Sequence, residues 1–227
     1  GLEELGDWSR LSRFYEERAR SKVSMIVTGG IAPNSEGALF PGAASMVNRN
    51  DIENHKIVTK NIKKHGTKIL MQILHAGRYA YSNDAVAPSA IKSPISPFVP
   101  RELSEEGIRK QILDIANAAK KAQCAGYDGV EIMGSEGYLI NQFIVSHTNK
   151  REDSWGGDYL NRIRFPLEVL RRVRSEVGSN FIIMFRLSMI DLIPKGSNWE
   201  EVVLLAKEIE RAGATIINTG IGWHEAR

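Results

Sequence analysis

Cysteine is almost missing from this sequence of 227 residues, and Cys124 stands alone. A single thiol cannot form an internal disulfide, and it cannot supply the several cysteine ligands of an iron–sulfur cluster. We therefore expect no metal site in this chain. Such cysteine usage is typical of a reducing compartment, so we expect a cytoplasmic location.

Long apolar runs and an excess of one charge are also missing. No apolar run approaches the roughly 20 residues of a membrane-spanning helix, and no signal peptide opens the sequence. The 30 basic and 27 acidic residues give a formal net charge of +3. Nucleic-acid-binding proteins usually carry a concentrated basic face. We therefore expect neither a membrane nor a nucleic acid as a partner.

What the sequence does contain is an alternation of two patterns. Short apolar runs rich in β-branched residues alternate with longer segments of helical period. The short runs are nearly continuous in apolar character, which is typical of parallel strands buried on both faces. They lie at residues 23–27, 68–74, 129–133, 181–187 and 215–219.

Helical segments fill the spaces between these runs. Apolar residues form one face of the first helix within 8–19, and the second and fourth helices are predicted at 51–65 and 162–177. Ser104 is expected to cap the third helix. Asn198 and Glu201 form a capping-box pattern at the start of the fifth.

One helix, four strand–helix repeats and a final strand fit either a (β/α)8 barrel or an open doubly wound sheet. The loop predicted at residues 28–33 lacks the spaced glycines of a dinucleotide-binding fingerprint. The long loops all follow strands, as on the active face of a barrel. We therefore favour an α/β fold of the TIM-barrel type.

A (β/α)8 barrel needs eight strands, and five strand-like runs are found. The chain begins with Gly1 rather than methionine and stops shortly after a strand-like run. We therefore expect residues 1–227 to form one incomplete barrel domain that holds about strands 2 to 6. The absent strands would leave sheet edges exposed, which favours association without fixing an oligomeric state.

Four polar residues fall at or near the carboxyl ends of the predicted strands, where parallel α/β folds form their sites. Each has an ordinary structural explanation as well as a functional one. Gln72 needs a hydrogen-bond partner in its buried strand, and Arg186 needs an acceptor such as Asp191. Tyr138 stays protonated at neutral pH and can act as an acid, and His224 can donate a hydrogen bond. Their convergence favours a functional site.

Longer motifs around these residues resemble the old yellow enzyme family of FMN-dependent oxidoreductases. The motifs are LHAGR at 74–78, GVEI at 129–132, GYLINQF at 137–143, NKREDSWGGD at 149–158 and NRIRF at 161–165. The likeness extends over essentially the whole chain. It implies an FMN-binding (β/α)8 barrel that reduces an activated C=C bond.

One departure from the family narrows this resemblance. Many members place a histidine and an asparagine after the third strand, where Met133 and Glu136 stand in this sequence. A histidine occurs instead at position 224, within the segment TGIGWHEAR at 219–227. This exchange is similar to bacterial 2,4-dienoyl-CoA reductases, which also share MGSEGY at 133–138. The resemblance implies NADPH-dependent reduction of 2,4-dienoyl-CoA to enoyl-CoA in unsaturated fatty acid β-oxidation.

The resemblance also implies a role for each site residue. Gly30, Gln72 and Arg186 would contact FMN, the last two at the pyrimidine edge of the ring, where Arg186 would stabilise the anionic reduced flavin. Tyr138, assisted by His224, would give a proton to a substrate that takes its hydride from flavin N5. The acyl-CoA, a small-molecule substrate, would be bordered by four consecutive residues: His224, Glu225, Ala226 and Arg227.

Full-length enzymes of that subgroup are larger than this chain. Their final barrel strands hold the FMN phosphate, a cysteine cluster binds a 4Fe-4S centre, and a further domain binds FAD and NADPH. Because residues 1–227 lack these parts, we expect the isolated chain to bind FMN poorly and to turn over little. The alternatives are an NADH oxidase or amine dehydrogenase of the same family, or a barrel lyase or isomerase without flavin.

Overall fold

The computed structural model describes residues 4–226. The elements in chain order are α1 (Trp8–Arg20), β1 (Met25–Ile31), α2 (Arg49–Lys63), β2 (Lys68–Ile73), a 3-10 helix (Gly77–Tyr79), β3 (Val86–Ala87), β4 (Arg101–Glu102), α3 (Glu105–Cys124), β5 (Gly129–Gly134), α4 (Leu139–Ile144), α5 (Tyr159–Arg162), α6 (Arg164–Val177), β6 (Ile182–Ile190), α7 (Trp199–Arg211) and β7 (Ile216–Ile221). The predicted alternation of strands and helices is confirmed.

Spatial order in the sheet decides between the two architectures that the sequence allowed. Within the described residues, five parallel strands pair in the order β1-β2-β5-β6-β7. The order in space therefore follows the order along the chain, as in a barrel. A doubly wound sheet would reverse its order at a switch point. The sheet is one side of a (β/α)8 barrel, with β1 and β7 at its two ends.

The central strand explains why the apolar runs were nearly continuous. All six residues of β5 are buried, because helices cover one side of the sheet and side chains of neighbouring strands cover the other. Phe143 of α4 stacks on Phe165 of α6 with ring centroids 4.2 Å apart. This contact ties the turn after β5 to the outer helices, and burying each ring contributes about 1.5–3 kcal/mol.

Both predicted helix caps are confirmed. Ser104 Oγ accepts a hydrogen bond from the backbone of Gly107 at 3.1 Å. Asn198 Oδ1 accepts from the Glu201 backbone at 2.9 Å, and Glu201 Oε2 accepts from the Asn198 backbone at 3.0 Å. Each cap satisfies donors that the first helical turn leaves free and contributes about 0.5–2 kcal/mol.

The prediction of a loop at residues 28–33 was wrong over most of its length, because β1 continues to Ile31. Two glycines interrupt the apolar pattern, yet Gly30 pairs with Gln72 after a register shift. A Cβ at Gly30 would lie 2.6 Å from Leu74 Cδ1. Close packing between β1 and the end of β2 therefore requires glycine at this strand position.

Three smaller features also differ from the sequence prediction. The fourth helix is divided at Ile163 into α5 and α6. The long loop that follows the second strand contains the 3-10 helix and the short strands β3 and β4, which pair with each other. The six-residue α4 directly follows Tyr138 and was not predicted. Short elements of this kind have too few residues for a periodic signal.

Two kinds of feature are absent from the part of the chain that the structure covers. No helix among residues 4–226 combines the length and the apolarity that crossing a bilayer requires. The same residues contain no group of three or more histidine, cysteine or acidic side chains arranged to hold a metal ion.

Candidate active site

Tyr138 lies just beyond the carboxyl end of β5, at the residue that precedes α4. The turn before it is held by Asn141, whose Oδ1 accepts from the Gly137 backbone at 3.0 Å. The Nδ2 of Asn141 donates to Asp191 Oδ1 at 3.1 Å, and Asp191 follows β6. The position of Tyr138 is therefore fixed by hydrogen bonds to two neighbouring strand ends.

The Tyr138 hydroxyl is hydrogen-bonded to His224, which follows β7. Oη lies 2.8 Å from His224 Nε2, and the two rings meet edge to face with centroids 5.1 Å apart. Tyr138 is 8% exposed, whereas the His224 side chain is 46% exposed. The pair thus joins a buried hydroxyl to an imidazole that solvent can reach.

Burial is the larger of two causes that raise the pKa of Tyr138 to about 12, and the negative charge of Glu136 is the other. Both disfavour the tyrosinate form. Tyr138 therefore holds its proton throughout the physiological pH range. A hydroxyl in this state can donate a proton, provided that a neighbour such as His224 stabilises or restores it.

Glu136 links Arg186 to this pair, and sequence reasoning gave it no role. Its Oε1 accepts from Arg186 Nε at 2.9 Å and from Nη2 at 2.6 Å. Its Oε2 lies 3.9 Å from His224 Nε2. The suggestion that Arg186 pairs with Asp191 was wrong. Asp191 is buried and accepts instead from the Ser188 hydroxyl at 2.8 Å and from the indole nitrogen of Trp223 at 2.9 Å.

The backbone of Glu136 is strained. Its φ of +63° lies in the left-handed region, which costs a residue with a side chain about 1–2 kcal/mol. The carboxylate fits closely over β7, since a Cβ at Gly220 would lie 2.8 Å from Glu136 Oε1. Strained residues concentrate at functional sites. A charged residue between Gly134 and Gly137 was the sequence signal that could have identified this position.

Gln72 belongs to a second network on the same face of the sheet. Its Nε2 donates to Glu131 Oε2 at 2.6 Å, and Asn218 Nδ2 donates to Glu131 Oε1 at 2.7 Å. The prediction that Gln72 has a hydrogen-bond partner is confirmed, although Glu131 and Asn218 were not identified from the sequence. Asn218 of β7 pairs in register with Arg186 of β6, so the two networks are neighbours.

Gln72 and Arg186 each keep one polar atom that forms no hydrogen bond within the described residues, an acceptor on Gln72 and a donor on Arg186. Among the described residues, no hydrogen bond engages Gln72 Oε1 or Arg186 Nη1, and both side chains are half-buried. An isoalloxazine ring offers an N–H donor flanked by carbonyl acceptors at its pyrimidine edge. The residues present therefore fit FMN at that edge. Gly30 pairs in register with Gln72 on the adjoining strand.

The four residues after β7 that were expected to border the substrate do not all face the same way. The His224 side chain is exposed, but the Glu225 carboxylate is turned inward and hydrogen-bonded to Arg78 and to Ser93 Oγ. Ala226 is half-buried, and its backbone donates to Trp223 at 2.9 Å. Arg227 lies outside the described residues.

The site combines the end of a parallel barrel sheet, a phenol–imidazole pair and polar groups that fit a flavin edge. The chain matches the NADH:flavin oxidoreductase / NADH oxidase family over residues 4–227, and it belongs to that family. This membership agrees with the resemblance drawn from the motifs. It argues against a barrel lyase or isomerase without flavin.

Curated relatives share this sequence over nearly its whole length. The chain is 39% identical over 222 residues to a metal reductase of Desulforamulus reducens and 32% identical over 228 residues to an NADH oxidase of Thermoanaerobacter brockii. Each match covers 96% of this chain, but only 33% and 34% of those relatives. The chain therefore spans about a third of their length.

Solved structures confirm the predicted fold. A 2-naphthoyl-CoA reductase in complex with 2-naphthoyl-CoA matches with a TM-score of 0.87 and 32% identity, over 95% of this chain and 35% of that one. An old yellow enzyme homologue from Zymomonas mobilis matches with a TM-score of 0.83 and 30% identity, over 91% of this chain and 62% of that one. The chain thus has the fold of part of an old yellow enzyme barrel.

Proposed function

We propose that this chain is part of the catalytic barrel of an FMN-dependent, NAD(P)H-consuming enzyme that reduces a C=C bond conjugated to a carbonyl. The proposed substrate is a 2,4-dienoyl-CoA, and the product is an enoyl-CoA. The hydrogen bond of 2.8 Å between Tyr138 and His224, beside the free polar atoms of Gln72 and Arg186, carries the proposal. At its natural length the protein would also use a 4Fe-4S centre, FAD and NADPH.

When bound, FMN would supply a hydride for the far end of the conjugated system. Gln72 and Arg186 would orient the ring through its pyrimidine edge. The guanidinium of Arg186 stays charged and would stabilise negative charge that accumulates there. Glu136 would position Arg186, because the Glu136 carboxylate accepts hydrogen bonds from Nε and Nη2 of Arg186. Nη1 of Arg186 would then remain available to the flavin.

Tyr138 would donate the proton that completes the reduction. Formation of a tyrosinate in this buried position is unfavourable, since burial and the charge of Glu136 raise the pKa of Tyr138 to about 12. His224 Nε2 would offset this by donating to Oη as the proton leaves and by restoring the proton afterwards. The exposed imidazole would then regain its proton from solvent.

The choice of a CoA thioester is supported by structural similarity to 2-naphthoyl-CoA reductase, which was solved with a conjugated CoA thioester. Other relatives carry different names, among them an NADH oxidase, an N,N-dimethylglycine/sarcosine dehydrogenase and an NADH:fumarate oxidoreductase. The substrate therefore has to be decided by a direct comparison of acceptors.

The deciding experiment uses the protein at its natural length with FMN bound and reduced under anaerobic conditions. Stopped-flow absorbance would record flavin reoxidation by 2,4-hexadienoyl-CoA, 2-cyclohexenone and fumarate. We expect the dienoyl-CoA to react fastest, by about tenfold or more, as a thioester-specific site requires. Faster reoxidation by fumarate or by the simple enone would overturn the substrate assignment.

Tyr138→Phe tests the proposed proton donor in the same assay. We expect reoxidation by the dienoyl-CoA to slow by about 100- to 10,000-fold, the usual range for losing a general acid. Tyr81→Phe is the matched control, because Tyr81 is an exposed tyrosine on a different loop. Equal rates for the two variants would remove Tyr138 from the mechanism.

A further inference from the structure

We propose that the buried ion pair between Arg78 and Glu225 is a positioning device that holds His224 against Tyr138. Glu225 would then act on the reaction through His224 rather than by touching the substrate. This inference rests on the proposed function, because it assigns a role within the same site.

The two partners meet in the protein interior. Arg78 lies in the 3-10 helix after β2, and its Nη2 donates to Glu225 Oε1. The side chains are only 2% and 6% exposed. Ser93 Oγ donates to the other carboxylate oxygen at 3.2 Å. Both oxygens of Glu225 are therefore engaged and screened from any ligand.

The ion pair connects distant parts of the fold. β2 and β7 are separated in the sheet by β5 and β6, and Arg78 and Glu225 are 147 positions apart in the sequence. Arg78 Nη1 also donates to the Lys92 carbonyl at 3.2 Å, which brings in the long loop after β2. The pair thus joins loops on either side of the turn that carries Tyr138.

His224 lies between two buried anchors. Trp223 on one side donates its indole N–H to Asp191 Oδ1 at 2.9 Å, and its backbone N–H to the Asp191 carbonyl at 3.0 Å. Glu225 on the other side is held by Arg78. These anchors hold the backbone on either side of His224, and the imidazole itself contacts Tyr138 and Tyr79.

Tyr79, the neighbour of Arg78, completes the arrangement. Its ring meets Tyr138, Trp223 and His224 edge to face, with centroid distances of 5.9, 6.4 and 6.0 Å. The Arg78 guanidinium lies 5.7 Å from the Trp223 ring centroid. Tyr79, which is next to Arg78 in the sequence, therefore packs directly against both members of the Tyr138–His224 pair.

Loss of this ion pair would weaken the hydrogen bond between Tyr138 Oη and His224 Nε2, because His224 would be free to shift. At 2.8 Å that bond has little tolerance, because a shift of about 1 Å takes it beyond hydrogen-bond range. A misplacement of that size costs on the order of 100-fold in rate. His147 Nε2 is a second basic group near this carboxylate, 3.8 Å from Glu225 Oε1.

The test uses the natural-length protein with FMN bound and three variants: Glu225→Gln, Arg78→Met and the double variant. The double variant leaves no unpaired buried charge, so it guards against a result that reflects only misfolding. We expect each variant to slow flavin reoxidation by 2,4-hexadienoyl-CoA by about 10- to 100-fold. Flavin reduction by NAD(P)H should stay within about twofold, since that step needs no proton from Tyr138.

Two features of the result separate positioning from general stability. The double variant should be no slower than the slower single variant, because the two side chains act as one unit. Glu201→Gln, which removes the 2.9 Å ion pair between Arg162 and Glu201, should lower thermal stability without changing either rate. Multiplied effects in the double variant, or equal slowing of both half-reactions, would overturn the inference.

Tyr138→Phe distinguishes failure of this inference from failure of the proposed function. If Tyr138→Phe slows reoxidation and the ion-pair variants do not, the positioning role is wrong and the proposed function stands. If Tyr138→Phe leaves reoxidation unchanged, the proposed function is wrong and the positioning role falls with it.

Discussion

Replacing Gly137 by alanine is expected to force apart the aromatic side chains that enclose the Tyr138–His224 pair. Gly137 has a φ of +86°. A Cβ at this position would lie 2.3 Å from Tyr79 Oη and 2.6 Å from Trp223 Cε3. Both distances are far below van der Waals contact, so the rings would have to move.

The magnitude follows from two separable costs. A side chain in the left-handed region costs about 1–2 kcal/mol, and overpacking a filled interior costs about 1–3 kcal/mol. Because the free energy of unfolding falls by their sum, we expect the melting temperature to drop by roughly 4–20 °C. Flavin reoxidation by 2,4-hexadienoyl-CoA should slow as well, because movement of the two rings would displace His224. The Tyr79 ring contacts His224, and Trp223 directly precedes it in the sequence.

Gly157→Ala is the matched control. Gly157 has a φ of +73°, but a Cβ added there would meet no heavy atom within 4 Å. Only the backbone cost applies, so we expect a drop of roughly 2–8 °C and an unchanged reoxidation rate. Circular dichroism melting and stopped-flow absorbance would measure both. Equal melting temperatures for the two variants, or full activity in Gly137→Ala, would refute the packing described around Tyr138.

Local electrostatics and capping give three further predictions. Glu136→Gln should lower the pKa of Tyr138 below about 12 but leave it above 10.0, because burial is the larger cause of the elevation. The pKa would be measured from tyrosinate absorbance, with the signal of the other tyrosines subtracted by use of the Tyr138→Phe variant. An unchanged pKa would contradict this prediction. Asn198→Ala should destabilise the fold by about 0.5–2 kcal/mol in thermal unfolding, and no measurable loss would contradict the capping box. Burial lowers the pKa of His55 and His75 from 6.5 to about 4. Their contribution to stability is therefore complete above pH 6.5 and is lost as the pH falls towards 4, because the unfolded chain takes up more protons. His55→Gln should make this decline shallower, and a melting temperature independent of pH would contradict it.

The features that the sequence predicted well are those with local causes. The cap at Ser104 and the capping box at Asn198 depend on residues three positions apart, and the structure contains both. Helical period and continuous apolar runs likewise reflect burial of each element against its neighbours. These signals were sufficient for the order of elements and for the choice of a barrel.

The features that were missed depend on contacts between distant segments. β1 extends through Gly30 because Leu74, 44 positions away, packs against it. The partner of Arg186 is Glu136, whose left-handed backbone turns its carboxylate towards β6. The glycines around Glu136 indicate a sharp turn, but they do not show that Glu136 rather than Asp191 reaches Arg186.

The site itself shows the same division. Motif resemblance was needed to assign roles to Tyr138 and His224, because a tyrosine or a histidine alone is more often structural. Their separation of 2.8 Å follows from the fold, since they lie 86 positions apart. The Arg78–Glu225 ion pair had no sequence signal, because the two residues lie 147 positions apart and no local pattern pairs them.

A crystal structure of the natural-length protein with FMN and 2,4-hexadienoyl-CoA would test the proposed site more sharply than any other measurement. We expect the pyrimidine edge of the flavin to contact Gln72 Oε1 and Arg186 Nη1. We also expect Tyr138 Oη, still bonded to His224, to lie about 3–3.5 Å from a carbon of the dienoyl chain. A flavin bound away from Gln72 and Arg186, or a thioester out of reach of Tyr138, would show that the site has been assigned wrongly.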